Sequence, residues 1–249
     1  MVLAFLLAEA GRAEEAAESL LPLTEGDNAY PILHARAFAL ERAGDKETLP
    51  VTAEAVRRAH ALDERFDLGF YAGNWARLRR AAGVDLTPDD VPWSEPVTFE
   101  GNGHRYALIE VPVSFSDAVK LCEARGGHLV TIADEAENQF VFDKFGYDRL
   151  CWLGATDAGT EGEWRWITGE PFEFTNWAKG QPNGEAKGNA GEDFGNIGIF
   201  DARKYGVDWR WAPGTKWGDD PEHGLGQDSM VRHRALMLMV THAVCEWDD

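Results

Sequence analysis

The sequence predicts an α+β protein in which an all-α helical-hairpin module precedes a loop-rich domain of short antiparallel strands and two helices. Three observations predict it. Apolar residues recur at helical spacing through about the first third of the chain. Pro88, Pro92 and Pro96, set among Asp89, Asp90 and Glu95, then interrupt any helix and mark a linker. From Cys151 to Asp193 the aromatic runs are short and broken by glycine and proline, the texture of small strands joined by large loops. The expected organisation is a helical module over 1–88, a linker over 89–96 running extended, and a second domain over 97–249.

In the module, Leu3, Leu6, Leu7 and Ala10 share a helical face before Gly11, and Leu33, Ala37 and Leu40 repeat that spacing before Gly44. The stretch from Leu7 resembles the stretch from Leu40 at an offset of about 33 residues, near the tetratricopeptide period. Two readings stay open, a solenoid fragment that docks a protein partner and a plain helical-hairpin bundle. Exposure of Tyr71 or Trp75 would favour docking. Met1–Leu7 lacks a basic n-region and reaches Glu9 at once, so a helix is expected there rather than a signal peptide. A leucine-rich opening also leads one to expect that the array continues upstream in a longer parent chain.

In the second domain, His104–Ile109 alternates as an opening strand, and Ser116 is the expected N-cap of a helix carrying Ala118, Leu121 and Cys122, stopped by Gly126-Gly127. Leu129–Ile132 reads as a short buried strand. Asp134 with Glu137 reads as a capping box opening a second helix toward Phe145.

The chain carries 43 acidic against 24 basic residues, a formal charge of −19. Such a surface repels phosphate backbones and anionic lipid, so nucleic-acid binding is not expected. No run of about twenty apolar residues occurs, so membrane insertion is not expected either. Catalytic signatures are missing: the sequence has no Gly-x-Ser-x-Gly, His-Glu-x-x-His, Cys-x-x-Cys or phosphate loop. An enzyme is therefore not expected. What the loops do carry is side-chain oxygen, from Asp157, Glu161, Asn176, Gln181, Asn183, Glu192 and Asp193, a set that suits a hard cation.

The order Trp152-Leu153-Gly154, Trp164-Arg165-Trp166, Asn176-Trp177, Gln181-Pro182-Asn183, Glu192-Asp193 and Cys245-Glu246-Trp247 resembles a C-type lectin domain over about the last three fifths of the chain. The resemblance implies a double-looped antiparallel sheet flanked by two helices. It also implies a primary Ca2+ and carbohydrate site at Gln181, Asn183, Glu192 and Asp219, with Pro182 in a cis peptide. An auxiliary metal site would fall on Asp157, Glu161 and Asp193. Gly218 stands where the family has asparagine, and two charged ligands alone imply weak calcium binding, with a Kd on the order of 10⁻⁴ to 10⁻³ M. Gln181 and Asn183 are both amides, able to donate and accept, so the donor order that would select a sugar is not specified.

The resemblance further implies a disulfide between Cys122 and Cys245, worth about 4 to 5 kcal/mol in a chain-entropy treatment. Phe194 stands where the family's second bridge would have a cysteine, and Cys151 reads as a small buried hydrophobe. The implied function is calcium-assisted binding of a carbohydrate or glycoconjugate, the helical module serving as spacer or partner-docking element. The alternative is calcium-independent protein binding through the long Phe194–Lys216 insertion, with Trp209 and Trp211 stacking on the ligand. A disulfide and a lectin-like domain lead one to expect an extracellular or cell-surface setting.

Overall fold

The computed structural model describes residues 7–26, 29–62, 65–183, 191–201, 210–211, 214–220 and 241–248, with backbone alone at 65–70, 200–201 and 210–211. The chain divides into two units, Met1–Val84 and Asp85–Asp249.

The first unit contains helices α1 (Ala13–Leu20), α2 (Tyr30–Ala43), α3 (Thr48–Ala61) and α4 (Arg65–Ala82), each packed on the next. Their shared core is rich in alanine, Ala16, Ala17, Ala35, Ala37 and Ala39, closed by Leu20, Leu33, Leu40 and Val51. Small side chains let helices approach closely without long residues to interdigitate. Gly44 ends α2 at φ 68°, a left-handed geometry that glycine takes without Cβ strain. Tyr71 and Trp75 are both buried, so neither presents the docking face their exposure would have marked.

One histidine gives this unit a pH dependence. The His34 ring lies 4.7 Å from that of Tyr71, and burial lowers its pKa from 6.5 to about 4, with Glu41 opposing. In the unfolded chain the ring protonates first, so stability is lost as pH falls from about 6.5 toward 4. Urea midpoints of the helical signal, followed by far-UV circular dichroism, are expected to drop across that window. In His34→Gln the slope is expected to shrink.

The second unit is α+β. Its strands are β1 (Val97–Thr98), β2 (Arg105–Ile109), β3 (His128–Leu129), β4 (Leu150–Thr156), β5 (Arg165–Trp166), β6 (Phe194–Gly198), β7 (Phe200–Asp201), β8 (Arg210–Trp211), β9 (Trp217–Asp220) and β10 (Thr241–Trp247). The main sheet runs β1-β2-β10-β4-β6-β9, with β3 joined to β10, β5 joined to β4, and β7 pairing β8 separately. Among the described strands, β10 and β4 pair parallel and the other pairs are antiparallel. Helices α5 (Phe115–Ala124) and α6 (Glu135–Phe145) complete the unit. Its core joins Tyr106 and Leu108 of β2, Val141 and Phe142 of α6, Leu153 of β4, Trp166, Ile197, Trp217 and Val244. Gly154 sits where a Cβ would come within 2.7 Å of the Leu129 carbonyl, so β4 can pass this close only with glycine there.

Four details differ from the expectations. The cap of α5 is Ser114, whose hydroxyl accepts from the Asp117 amide; Ser116 lies inside the first turn. Asp134 does cap α6 through the Glu137 amide, but the Glu137 carboxylate accepts from the amide of Ala133, not of Asp134. Tyr106 and Asn102 draw it into the interior, where it is 3% exposed.

The stretch before β1 is not wholly extended. Pro88–Asp90 form a 3-10 turn closed by a Thr87–Asp90 capping box, and Pro92, Trp93 and Ser94 then bond to the end of β2 and the residue after it. Finally, the expected disulfide is not formed. Cys122 and Cys245 are buried free thiols hydrogen bonded to each other, and burial followed by that contact pushes the Cys122 thiol well up, which holds it protonated. Cys151 is buried too, its thiol raised to about 12 by burial, as befits a packing residue.

Candidate metal centre and ligand site

Trp217 anchors the loop that carries the first site. Its ring packs against Trp166, Phe174 and Trp177, and its indole N–H donates to Asn138 Oδ1 at 2.6 Å. The Asn138 amide in turn donates to the carbonyl of Thr215, as does that of Asn176. Along the outer edge of β9, the Trp217 amide donates to the Asn176 carbonyl and the Ala178 amide to the Trp217 carbonyl, both at 2.9 Å. These bonds hold residues 176–178 beside the strand that carries Asp219.

From there the chain turns through Gly180 at φ 89° into a cis Gln181-Pro182 peptide. Asn183 lies just beyond. Its backbone N–H donates to Asp219 Oδ2 at 2.9 Å, and its side-chain amide to Glu192 Oε2 at 2.6 Å. The structure thus brings Asn183, Glu192 and Asp219 together, with Gln181 on the same turn. Gln181 Oε1 is buried and has no hydrogen-bond partner.

The second acidic group lies at the end of β4. The Asp157 amide bonds to the Asp193 carbonyl at 3.2 Å, and Asp157 Oδ2 accepts from the Gly162 amide at 2.9 Å. Asp157 Oδ1 is buried without a partner. Burial and then Asp157 raise the Asp193 carboxyl above its ordinary range. Glu161 occupies the exposed turn between Asp157 and Glu163.

Asp220 and Asn196 were missed by the sequence reading. Asp220 accepts from Asn196 Nδ2 at 2.8 Å, and its carboxyl is pushed well above the ordinary range by burial, then by Glu192 and Asp219. The signal was available in the consecutive acids Asp219-Asp220, which a strand directs to opposite faces while both remain buried. Of the residues expected to stack on a ligand, Trp209 lies outside the described residues, and for Trp211, which ends β8, the backbone alone is described.

An orphaned amide oxygen at Gln181 and an orphaned carboxylate oxygen at Asp157 each leave a buried acceptor facing no donor. A buried acceptor in that state is costly, and a hard cation satisfies it. Asn183, two residues beyond Gln181 and bonded to Glu192 and Asp219, and Asp193 beside Asp157 offer oxygen ligands, so the ligand chemistry of both groups fits calcium.

Residues 111–194 match the family model of the lectin C-type domain. The human C-type lectin domain family 4 member K is 35% identical over 105 residues, 40% of this chain and 30% of that protein. A perlucin-like protein of the mussel Mytilus galloprovincialis is 39% identical over 79 residues, 28% of this chain and 48% of that protein. The chain thus spans less than half the length of these two relatives. Among solved structures, the human scavenger receptor C-type lectin carbohydrate-recognition domain superposes with a TM-score of 0.45 at 24% identity, covering 62% of this chain and 96% of that domain. The second unit carries a C-type lectin-like domain.

Proposed function

We propose that the second unit binds a carbohydrate with the help of a calcium ion held by Gln181, Asn183, Glu192 and Asp219. The observation that carries this reading is the buried, unpartnered Gln181 Oε1 one cis-proline away from Asn183, which itself contacts Glu192 and Asp219. When bound, calcium supplies coordination positions that neighbouring sugar hydroxyls can complete. Asp219 fixes the Asn183 backbone, and Glu192 orients the Asn183 side chain by accepting from its amide. The amides of Gln181 and Asn183 can each donate to and accept from a hydroxyl. Asp157, Asp193 and Glu161 form an auxiliary site that orders the loop. With affinity on the order of 10⁻⁴ to 10⁻³ M, loading requires the calcium levels met by extracellular modules, so the setting is extracellular or cell-surface. Because Tyr71 and Trp75 are buried, the helical unit is assigned the role of spacer.

The test is a melt followed by a glycan array. About 10 mM calcium, roughly 10- to 100-fold above that Kd, is expected to add about 1.4 to 2.7 kcal/mol to the domain. At a few degrees per kcal/mol for a domain of this size, Tm rises by roughly 3 to 10 °C. Array signal is expected to disappear in chelator. A melt indifferent to calcium, with array signal intact in chelator, would overturn the proposal.

A further inference from the structure

A second group of ligating side chains lies where β2, β3 and β10 meet, and none of its members belongs to the site above. Residue Glu246 of β10 pairs with Tyr106 of β2 on one side and with His128 of β3 on the other. His104 immediately precedes β2, and Asp248 immediately follows β10. Strand register therefore brings two imidazoles and two carboxylates to one spot. Along the main sheet that spot is separated from Asp219 on β9 by β4 and β6.

The separations suit a shared ion. His104 Nδ1 lies 2.7 Å from Glu246 Oε1 and 3.5 Å from Asp248 Oδ1, and Asp248 Oδ1 lies 3.0 Å from His128 Nε2. A tetrahedral centre with bonds of about 2.0 to 2.2 Å holds its ligand atoms roughly 3.3 to 3.6 Å apart, a spacing that His104, Glu246 and Asp248 approach, while His128, beside Asp248, joins the same ion by a further movement of its ring. The ligating atoms of His104, Glu246 and Asp248 already lie within 4.8 Å of one another.

Outer contacts aim these ligands. Buried Glu246 accepts from the Thr131 amide on Oε2 at 2.9 Å, and its Oε1 lies 3.0 Å from the Tyr106 hydroxyl, which donates its proton at shorter range to Glu137. His128 is informative in its protons. Its Nδ1 faces the Leu129 carbonyl at 3.1 Å and its Nε2 faces Asp248 at 3.0 Å. Both partners are acceptors, so each ring nitrogen is placed as a donor. Replacing the Nε2 proton by a metal leaves Nδ1–H donating to a carbonyl, the outer-shell bond that orients metal-bound histidine.

We propose that His104, His128, Glu246 and Asp248 form a binding site for a divalent transition-metal ion, Zn2+ in particular. Two imidazole nitrogens and two carboxylate oxygens match the borderline-soft preference of Zn2+ and mismatch that of calcium, which takes oxygen alone. The ion would tie the residue after the last strand to the loop before β2 and to the start of β3.

The experiment is isothermal calorimetry with zinc chloride on chelator-treated full chain. One ion per chain is expected, with affinity falling roughly tenfold or more in each of His104→Ala, His128→Gln and Asp248→Asn. Asp248 is well exposed, and its variant gives an arm that misfolding does not confound; near-UV circular dichroism checks the other two. Substituted Co2+ is expected to show visible d–d bands without sulfur charge transfer. Absence of zinc uptake, uptake unchanged in the three variants, or uptake lost in Cys122→Ser instead would overturn the assignment.

Discussion

Asp219→Asn is expected to abolish the calcium-induced rise in Tm while making the calcium-free domain more stable. The two effects have one cause. Burial first, and then repulsion from Glu192 and Asp219, hold the carboxyl of Asp220 well above its ordinary range. A raised folded pKa means stability that is present below the unfolded value of 3.8 and lost as pH rises above it. In chelator, the domain is therefore expected to weaken from pH 4 upward, and removing the Asp219 charge should lessen that decline while burial of Asp220 keeps part of it. With calcium the sign inverts, because the lost charge is a ligand. The asparagine keeps an oxygen for the Asn183 amide, so the turn survives. Scanning calorimetry of both proteins, in chelator and in about 10 mM calcium, checks the crossing of the two effects. A variant that responds to calcium as the parent does would remove Asp219 from the ligand set.

Trp217→Ala should cost about 3 to 5 kcal/mol, the range for large aromatic truncation in a core. Trp217 is fully buried, touches Trp166, Phe174 and Trp177 with its ring, and satisfies Asn138 with its indole N–H. Trp217→Phe separates these contributions. It restores much of the packing but leaves Asn138 Oδ1 without its donor, for a cost of about 1 to 3 kcal/mol. Urea unfolding monitored by far-UV circular dichroism measures both. A phenylalanine variant as unstable as the alanine one would assign the cost to the hydrogen bond instead of to packing.

Much of the second unit was legible because local chemistry and tertiary position agree there. Asp134 reads as a cap and is one, Gly126 stops α5, and Cys151 is the small buried residue it was read as. Local rules failed where two local solutions compete or a distant partner decides. Ser114 and Ser116 are equivalent caps on paper, and tertiary context selects the earlier one. Glu137 has the spacing of a reciprocal box, yet Tyr106, 31 positions away, pulls its carboxylate inward. Gln181, Asn183, Glu192 and Asp219 were legible only through the order of many short motifs. Spacing alone could not have brought Asn183 to a residue 36 positions distant. Asp220 had a local signal in the pair Asp219-Asp220, whereas the cluster of His104, His128, Glu246 and Asp248 depends on strand register, which no local pattern in the sequence reveals.

Both margins of the main sheet are covered. On one side β1 is two residues long and Trp93 bridges to the end of β2; on the other, residues 176–178 occupy the outer edge of β9. Among the described residues, no long row of open amides remains for another copy to extend. Among the described residues, intermolecular strand addition, the usual first step toward fibrils, therefore finds no long template on this sheet, and the peptide bonds that hold residues 176–178 against Trp217 also act as a barrier to self-association.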